Sequence, residues 1–278
     1  MKRVYLEITD ACNLNCPFCT YPKGNSFMSL DLIENYIGQI KPFCSYIYLH
    51  MLGEPLLHSD LEKILGLLDD KDMELLLVTN GTLLDRYPDI LSHKCLNKLS
   101  ISVHSVNNTG IDDSYFRTID SLLDIETGKN IELRFYDPDS LDDKLSAYLQ
   151  SLKERYGFEP TSRKDSYRLK DNVYVYFQEL FRWPDINDDV ISDTGYCHGG
   201  IDMIGINVHS DVTVCCLDPH AENRIGNLKQ QSLREILESE TYKKFLTDIR
   251  NRKLTFELCR RCSYRLRFEA EDLLQDDR

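Results

Sequence analysis

Residues 12–19, Cys12-Asn13-Leu14-Asn15-Cys16-Pro17-Phe18-Cys19, place three thiols within eight positions, directly after a short apolar strand. Such a C-x-x-x-C-x-x-C run can converge on one metal centre, yet it leaves that centre one protein ligand short. A structural zinc site closes four ligands around the ion, whereas a reactive centre keeps a position open. Iron–sulfur clusters are held by thiolates, normally four. Three thiolates therefore imply a cluster with one iron free to bind something else. The competing readings of the same spacing are zinc with a distant fourth ligand, or cysteines packed in a core.

Outward from this run the chain alternates strand and helix. Residues 4–9 (Val4-Tyr5-Leu6-Glu7-Ile8-Thr9) alternate apolar and polar with the period of a strand. The cysteines follow its C-terminal end, where α/β barrels place their chemistry. Ser29 or Asp31 caps a helix that runs to about Ile40, and Pro42 stops it. Further strands are expected over 46–51, 73–79, 98–104, 130–136 and 172–178, with helices over 60–69, 83–91, 112–125 and 140–155. Six strands alternating with helices mean a parallel sheet with right-handed crossovers. No Gly-rich phosphate fingerprint accompanies them. The expected fold class is α/β, a partial (β/α)6 TIM-like barrel over residues 1–180.

The later strands carry a second pattern. Leu99, Ile101 and Val103 alternate with Ser100, Ser102 and His104; Ile131, Leu133 and Phe135 with Glu132, Arg134 and Tyr136; Val173, Val175 and Phe177 with Tyr174, Tyr176 and Gln178. Closed eight-stranded barrels fill their interior with bulky aliphatic side chains. One polar face per strand instead suggests helices on the apolar side and a wet cavity on the other, or a sheet partly open to solvent. A cavity of this lining suits a polar substrate rather than a lipid. Residues 180–196 break the pattern and read as a linker. A small α+β unit over 181–278 follows, with a hairpin (201–208 and 211–217, turning at Ser210-Asp211), a helix over 231–249 and a basic tail helix from about Tyr264.

Composition bounds the function. The chain has 278 residues, 42% of them apolar, enough for one large domain and an appendage. No run of about 18 apolar residues occurs, and Met1-Lys2-Arg3-Val4 leads straight into a strand, so neither a signal peptide nor a membrane span is expected. The expected location is the cytoplasm, where cysteines bind metal more often than they pair. Seven of the ten cysteines fall into two sets with ligand-like spacing, Cys12/Cys16/Cys19 and Cys197/Cys215/Cys259/Cys262. A net charge of −13 argues against tracking a phosphate backbone and so against a nucleic-acid partner.

The cysteine spacing, with Phe18 before the third cysteine, resembles the radical S-adenosylmethionine (SAM) superfamily. His50-Met51-Leu52-Gly53-Glu54-Pro55 resembles its G-G-E-P element, with Leu52 where the first glycine usually stands. Thr79-Asn80-Gly81 resembles its T-N-G turn, though any tight turn favours Asn and Gly. The resemblance implies that Gly53 and Glu54 hold the amino group of SAM, that Ser102 and Arg134 contact its ribose and carboxylate, and that Phe18 flanks its adenine. It makes Cys12, Cys16 and Cys19 the ligands of a first [4Fe–4S] cluster.

By itself Cys259-x-x-Cys262 reads equally well as half a zinc ribbon. The run from Asn207 through Cys215-Cys216, with Ile225-Gly226-Asn227-Leu228 and Ser232-Leu233-Arg234-Glu235-Ile236-Leu237, resembles the SPASM/twitch extensions of radical SAM enzymes. The middle cysteine series of a full SPASM domain is missing, so the resemblance is to the shorter twitch form, that of the aminocyclitol dehydrogenases above all. It implies one auxiliary [4Fe–4S] cluster on Cys197, Cys215, Cys259 and Cys262, and two clusters in all. Cys215 and Cys216 compete for one ligand position, and the family's spacer counted from Ser210 selects Cys215. Arg260, Arg261, Arg265 and Arg267 beside the last two ligands would either balance an anionic cluster or bind an anionic substrate.

The reaction so implied is reductive cleavage of SAM to a 5′-deoxyadenosyl radical, which abstracts a hydrogen atom from a polar substrate. A fully ligated auxiliary cluster suggests two-electron oxidation by an oxidoreductase, fed by an external one-electron reductant of flavodoxin or ferredoxin type. Peptide maturation or epimerisation is the alternative within enzymes. With the first strand at Val4, no peptide-recognition domain is expected ahead of it. A zinc-binding interaction module is the alternative of another class.

Overall fold

The structure, a computed structural model, describes residues 1–19 and 22–268. In chain order its elements are β1 (Arg3–Leu6), α1 (Leu30–Ile40), β2 (Tyr46–Tyr48), α2 (Leu61–Asp70), β3 (Glu74–Thr79), β4 (Leu96–Ser102), α3 (Asp113–Asp124), β5 (Asn130–Tyr136) and α4 (Asp143–Tyr156). They continue with β6 (Glu159–Pro160), β7 (Ser166–Lys170), β8 (Val173–Gln178), β9 (Met203–Ile206), β10 (Asp211–Thr213), β11 (Arg224–Asn227), α5 (Leu233–Glu238), α6 (Glu240–Arg250) and α7 (Glu257–Arg261). Among the described residues no helix is long and apolar enough to cross a membrane.

The chain forms two compact units. The first gathers Met1–Ala11, Cys19–Gly53 and the chain from Phe181 onward; the second gathers Cys12–Phe18 and Glu54–Leu180. In the first unit the strand order is β11-β10-β9-β1-β2. Strand β1 is parallel to both β2 and β9, and β10 and β11 add antiparallel strands. Val4, Leu6 and Ile8 alternate inward from β1 and its extension, fully buried. Helix α1 buries Ile33, Tyr36, Ile37 and Ile40 along one face. Each such side chain is worth about 1.5–3 kcal/mol when buried. The Ser29 hydroxyl caps that helix by accepting from the Leu32 N–H, and Tyr36 closes the layer by donating to Ser210 Oγ at 2.8 Å.

In the second unit the order is β3-β4-β5-β8-β7-β6, parallel from β3 to β8 and antiparallel beyond. The apolar series Leu99, Ile101, Ile131, Leu133, Phe135 and Val175 is fully buried. The polar series packs too. Lys98 Nζ and Arg163 reach Glu132 Oε2 at 2.6 and 2.8 Å, and Ser100 Oγ reaches Oε1 at 3.1 Å. Glu132 is only 6% exposed, and its two cations outweigh burial and hold its carboxyl below the ordinary range.

Four elements differ from expectation. The helix expected over 83–91 is two 3-10 turns, Leu84–Arg86 and Ile90–Ser92. Pro88 between them cannot supply a helical N–H and disfavours helix at Tyr87. The helix expected over 231–249 is broken at Ser239, which ends α5 and caps α6 by accepting from the Tyr242 N–H. The β6–β7 hairpin is an addition, placed before β8 where the alternation pattern held only a connection. The expected tail helix begins as a 3-10 turn, Ser263–Arg265, and its remainder from 269 lies outside the described residues.

Candidate active site and metal centres

In the second unit the cysteine run is tied to the turn after β3. Asn80 donates from Nδ2 to Asn13 Oδ1 at 3.0 Å and lies 3.9 Å from Cys12 Sγ, while Asn13 Nδ2 donates to Thr82 Oγ1 at 2.7 Å. Cys16 Sγ donates to the Ser105 carbonyl at 3.4 Å. Phe18 packs on His104 with ring centroids 5.3 Å apart, and His104 stacks on Tyr136 at 4.0 Å. Burial drives the His104 imidazole down to about 3, with Arg134 adding to the effect, so the ring is neutral. Its Nδ1 faces the Arg134 carbonyl at 3.1 Å and must carry the proton, since a carbonyl only accepts. Cys19 belongs to the first unit and is half-buried.

The Gly53-Glu54 pair follows from close packing. Gly53 has φ +67, and a side chain there would lie 2.2 Å from the Thr9 carbonyl oxygen, so only glycine fits. Leu52, where the first glycine usually stands, is buried; its N–H donates to Glu7 Oε1 at 2.8 Å, and Glu7 Oε2 accepts from the Val208 N–H at 3.1 Å. Burial pushes the Glu7 carboxyl up to about 7 against these two donors. Glu54 accepts from the Leu56 and Asn80 N–H groups at 3.0 and 2.7 Å and from Thr79 Oγ1 at 2.7 Å. It is buried with no ion pair among the described residues, and burial raises it to about 7 in spite of the three donors.

Arg134 is its converse. Ser102 Oγ and Tyr136 OH accept from its terminal nitrogens, its Nε is buried without a partner, and no carboxylate stands within ion-pair distance among the described residues. Among the described residues Glu54 is thus a buried carboxylate with no ion pair and Arg134 a guanidinium with none, with Glu132 acting on Arg134 from beyond ion-pair distance.

In the first unit Cys197, Cys215, Cys259 and Cys262 line one cavity. Cys216 does not line it; its Sγ lies 3.9 Å from Met203 Sδ and bonds the Tyr5 hydroxyl. Among the described residues no three His, Cys, Asp or Glu side chains approach closely enough to share a single metal ion. Burial and mutual repulsion push the Cys197 and Cys262 thiols up to about 12 and 11, and Cys259 well above its ordinary value. Four buried thiolates become favourable only around a cationic group. Gly199 sits where a side chain would press on the Val214 carbonyl, 3.2 Å away, between Cys197 and Cys215. The four arginines divide. Arg260 pairs with Asp193 and Glu257, Arg261 with Glu257, and Arg267 stacks on Tyr264, whereas Arg265 is 1% exposed and lines the cavity.

Comparison with known proteins agrees with this layout. The model of the radical SAM superfamily matches residues 6–131, and that of the SPASM iron–sulfur cluster-binding domain matches residues 197–263. The chain carries a radical SAM domain. Among solved structures this radical SAM protein is similar to BtrN in complex with AdoMet and 2-DOIA (17% identity, 94% of this chain and 92% of that one, TM-score 0.61). It is also similar to anSMEcpe with bound AdoMet (14%, 95% and 86%, TM-score 0.59). At these identities the likeness shows the fold, an α/β partial barrel that is not closed. A GTP 3′,8-cyclase of Aquifex aeolicus is 31% identical over 38% of this chain and 36% of its own length. The chain thus matches little more than a third of such curated relatives.

Sequence reading missed the supporting residues of this radical SAM chain. Glu7 was legible only as a polar position on a strand, and Asn80 only as a turn residue. Asn223, whose amide reaches Cys259, has no motif at all.

Glu54 and Arg134 carry one prediction. An ionised Glu54 is what an ammonium needs, and below about pH 7 the carboxyl holds its proton. SAM affinity should therefore fall with pH below about 7, by up to tenfold per unit, because binding must expel that proton. Glu54→Gln should bind more weakly and lose this slope. Arg134→Ala should weaken binding by roughly 1.5–3 kcal/mol and keep the slope. Calorimetric SAM titrations of the anaerobic protein between pH 6 and 8 would show it; a flat wild-type profile would remove Glu54 from the ammonium site.

Proposed function

We propose that this protein is a radical SAM oxidoreductase with two [4Fe–4S] clusters. Cys12, Cys16 and Cys19 hold the first and leave one iron open for SAM; Cys197, Cys215, Cys259 and Cys262 hold the auxiliary cluster. When bound, the first cluster and SAM supply a 5′-deoxyadenosyl radical that takes a hydrogen atom from the substrate. The chain's own residues do the rest. Glu54 and Gly53 take the amino group of SAM, Arg134 its carboxylate, Ser102 its ribose, and Phe18 on the neutral His104 flanks its adenine. Asn80 and Asn13 hold the cysteine run against the turn at 80–82. The polar face of β4, β5 and β8 suits a polar small molecule or peptide.

The observation that carries the oxidative reading is the cavity with four cysteines. Four protein ligands leave no iron vacant for substrate, so the group they hold is suited to accept an electron. The proposed setting is the cytoplasm, with a flavodoxin or ferredoxin as reductant. A peptide substrate is a second reading, favoured by the likeness to SuiB of Streptococcus suis, solved bound to its precursor peptide SuiA (10% identity, 87% of this chain and 65% of that one, TM-score 0.55).

Anaerobic reconstitution tests the proposal. The protein should take up about eight iron and eight sulfide and, with a strong reductant, convert SAM to 5′-deoxyadenosine. A screen of polar small molecules and peptides should find one that raises that yield above the uncoupled background. Stoichiometric zinc with little iron would leave a zinc-binding module in its place.

A further inference from the structure

The four cavity sulfurs differ in how they are hydrogen-bonded. Cys197 Sγ accepts from the Gly199 N–H at 3.4 Å and Cys215 Sγ from the Leu217 N–H at 3.3 Å, in each case from two residues ahead. Cys262 takes the N–H groups of Tyr264 and Arg265. Among the described residues Cys259 has no such donor, because it sits inside α7, where the following N–H groups run along the axis into helical bonds. Arg260 N–H, for one, donates to the Phe256 carbonyl at 3.2 Å. A side chain fills the gap. Asn223 Nδ2 lies 3.3 Å from Cys259 Sγ.

That amide cannot turn round. Its Oδ1 accepts from the Leu258 N–H at 3.3 Å, which only an oxygen can do, so the nitrogen must face the sulfur. Its backbone N–H donates to Asp218 Oδ2 at 2.8 Å, and Asp218 is itself fixed by Thr213 Oγ1 at 2.5 Å. Asn223 is 4% exposed. On the same cavity wall stands Arg265, whose Nε donates to the Cys259 carbonyl at 3.3 Å. An immobilised donor and a buried cation thus both act on Cys259.

We propose that Asn223 and Arg265 are positioning residues that set the reduction potential of the auxiliary cluster, holding it high enough to accept an electron. This rests on the reading that the cavity binds a [4Fe–4S] cluster. Reduction adds negative charge to the cluster and its sulfurs, and a donor aimed at a sulfur and a nearby cation both favour the reduced form. Removing either lowers the potential.

The test is a potentiometric titration, followed by electron paramagnetic resonance, of the full-length chain carrying Cys12→Ala, Cys16→Ala and Cys19→Ala, so that only the second cavity contributes. Iron and sulfide are counted in every sample. Asn223→Ser and Arg265→Gln should keep about four iron and shift the reduced-to-oxidised ratio at fixed potential at least tenfold towards oxidised, about 59 mV for a one-electron couple. Arg265→Lys, which keeps the charge, should recover most of the loss. Unchanged potentials with full iron overturn the proposal while leaving the cluster reading in place; a parent chain that takes up no iron overturns both. If one variant fails to load, the other and the lysine variant decide.

Discussion

Replacing Cys259 and Cys262 with alanine is expected to leave reductive cleavage of SAM measurable while product formation collapses. Neither residue belongs to the first cysteine set, and of the proposed SAM contacts Glu54, Arg134, Ser102 and Phe18 lie in a different compact unit, Gly53 alone in the same one. Cleavage should proceed at a similar uncoupled rate. The substrate would have lost its electron acceptor, so product should fall by roughly a hundredfold or more, the far end of what losing support at a metal site costs. Folding must be followed separately by circular dichroism, because metal ligation often carries the stability of such a segment. A folded variant with half the iron that still forms product at the normal rate would end the oxidation reading. A redox-neutral outcome, such as epimerisation, would replace it.

The complementary variant, with Cys12, Cys16 and Cys19 changed to alanine, should have a larger effect still. Iron and sulfide should fall from about eight to about four, and 5′-deoxyadenosine should vanish from assays with and without substrate. The melting of the apoprotein should be followed alongside, since Cys12 and Cys16 also touch Asn80 and the Ser105 carbonyl. Retained cleavage would mean that SAM is activated at the other cavity, and the assignment of the two cysteine sets would be reversed.

What the sequence disclosed and what it withheld divide along physical lines. Strand and helix alternation was legible because period and caps are local: Ser29, for example, caps α1 where its side chain could be expected to. The cysteine sets were legible because ligand spacing is a short-range code. Within the second set the spacer counted from Ser210 selects Cys215, and Cys215 lines the cavity while Cys216, hydrogen-bonded to Cys215 and Tyr5, does not. Four arginines beside Cys259 and Cys262 could not be sorted by their order. Two were decided by surroundings remote in sequence, Asp193 for Arg260 and a buried wall for Arg265. Pro88 was a local signal that the helical pattern of 83–91 outvoted, wrongly. Asn223 could not have been found at all, since it matters only because Cys259 happens to fall within a helix.

Strand β1 is made early and completed late. Its partners on one edge, Met203–Ile206, lie some two hundred residues downstream. At a synthesis rate of about 5–20 residues per second, that edge waits for roughly 10–40 s before its mate leaves the ribosome. Through that interval Arg3–Leu6 presents open backbone donors and acceptors beside apolar Val4 and Leu6, the kind of edge on which chains associate wrongly. The nascent chain's vulnerability is therefore set by the distance between these two strands along the message. A chain cut short before residue 206 keeps the edge exposed for good.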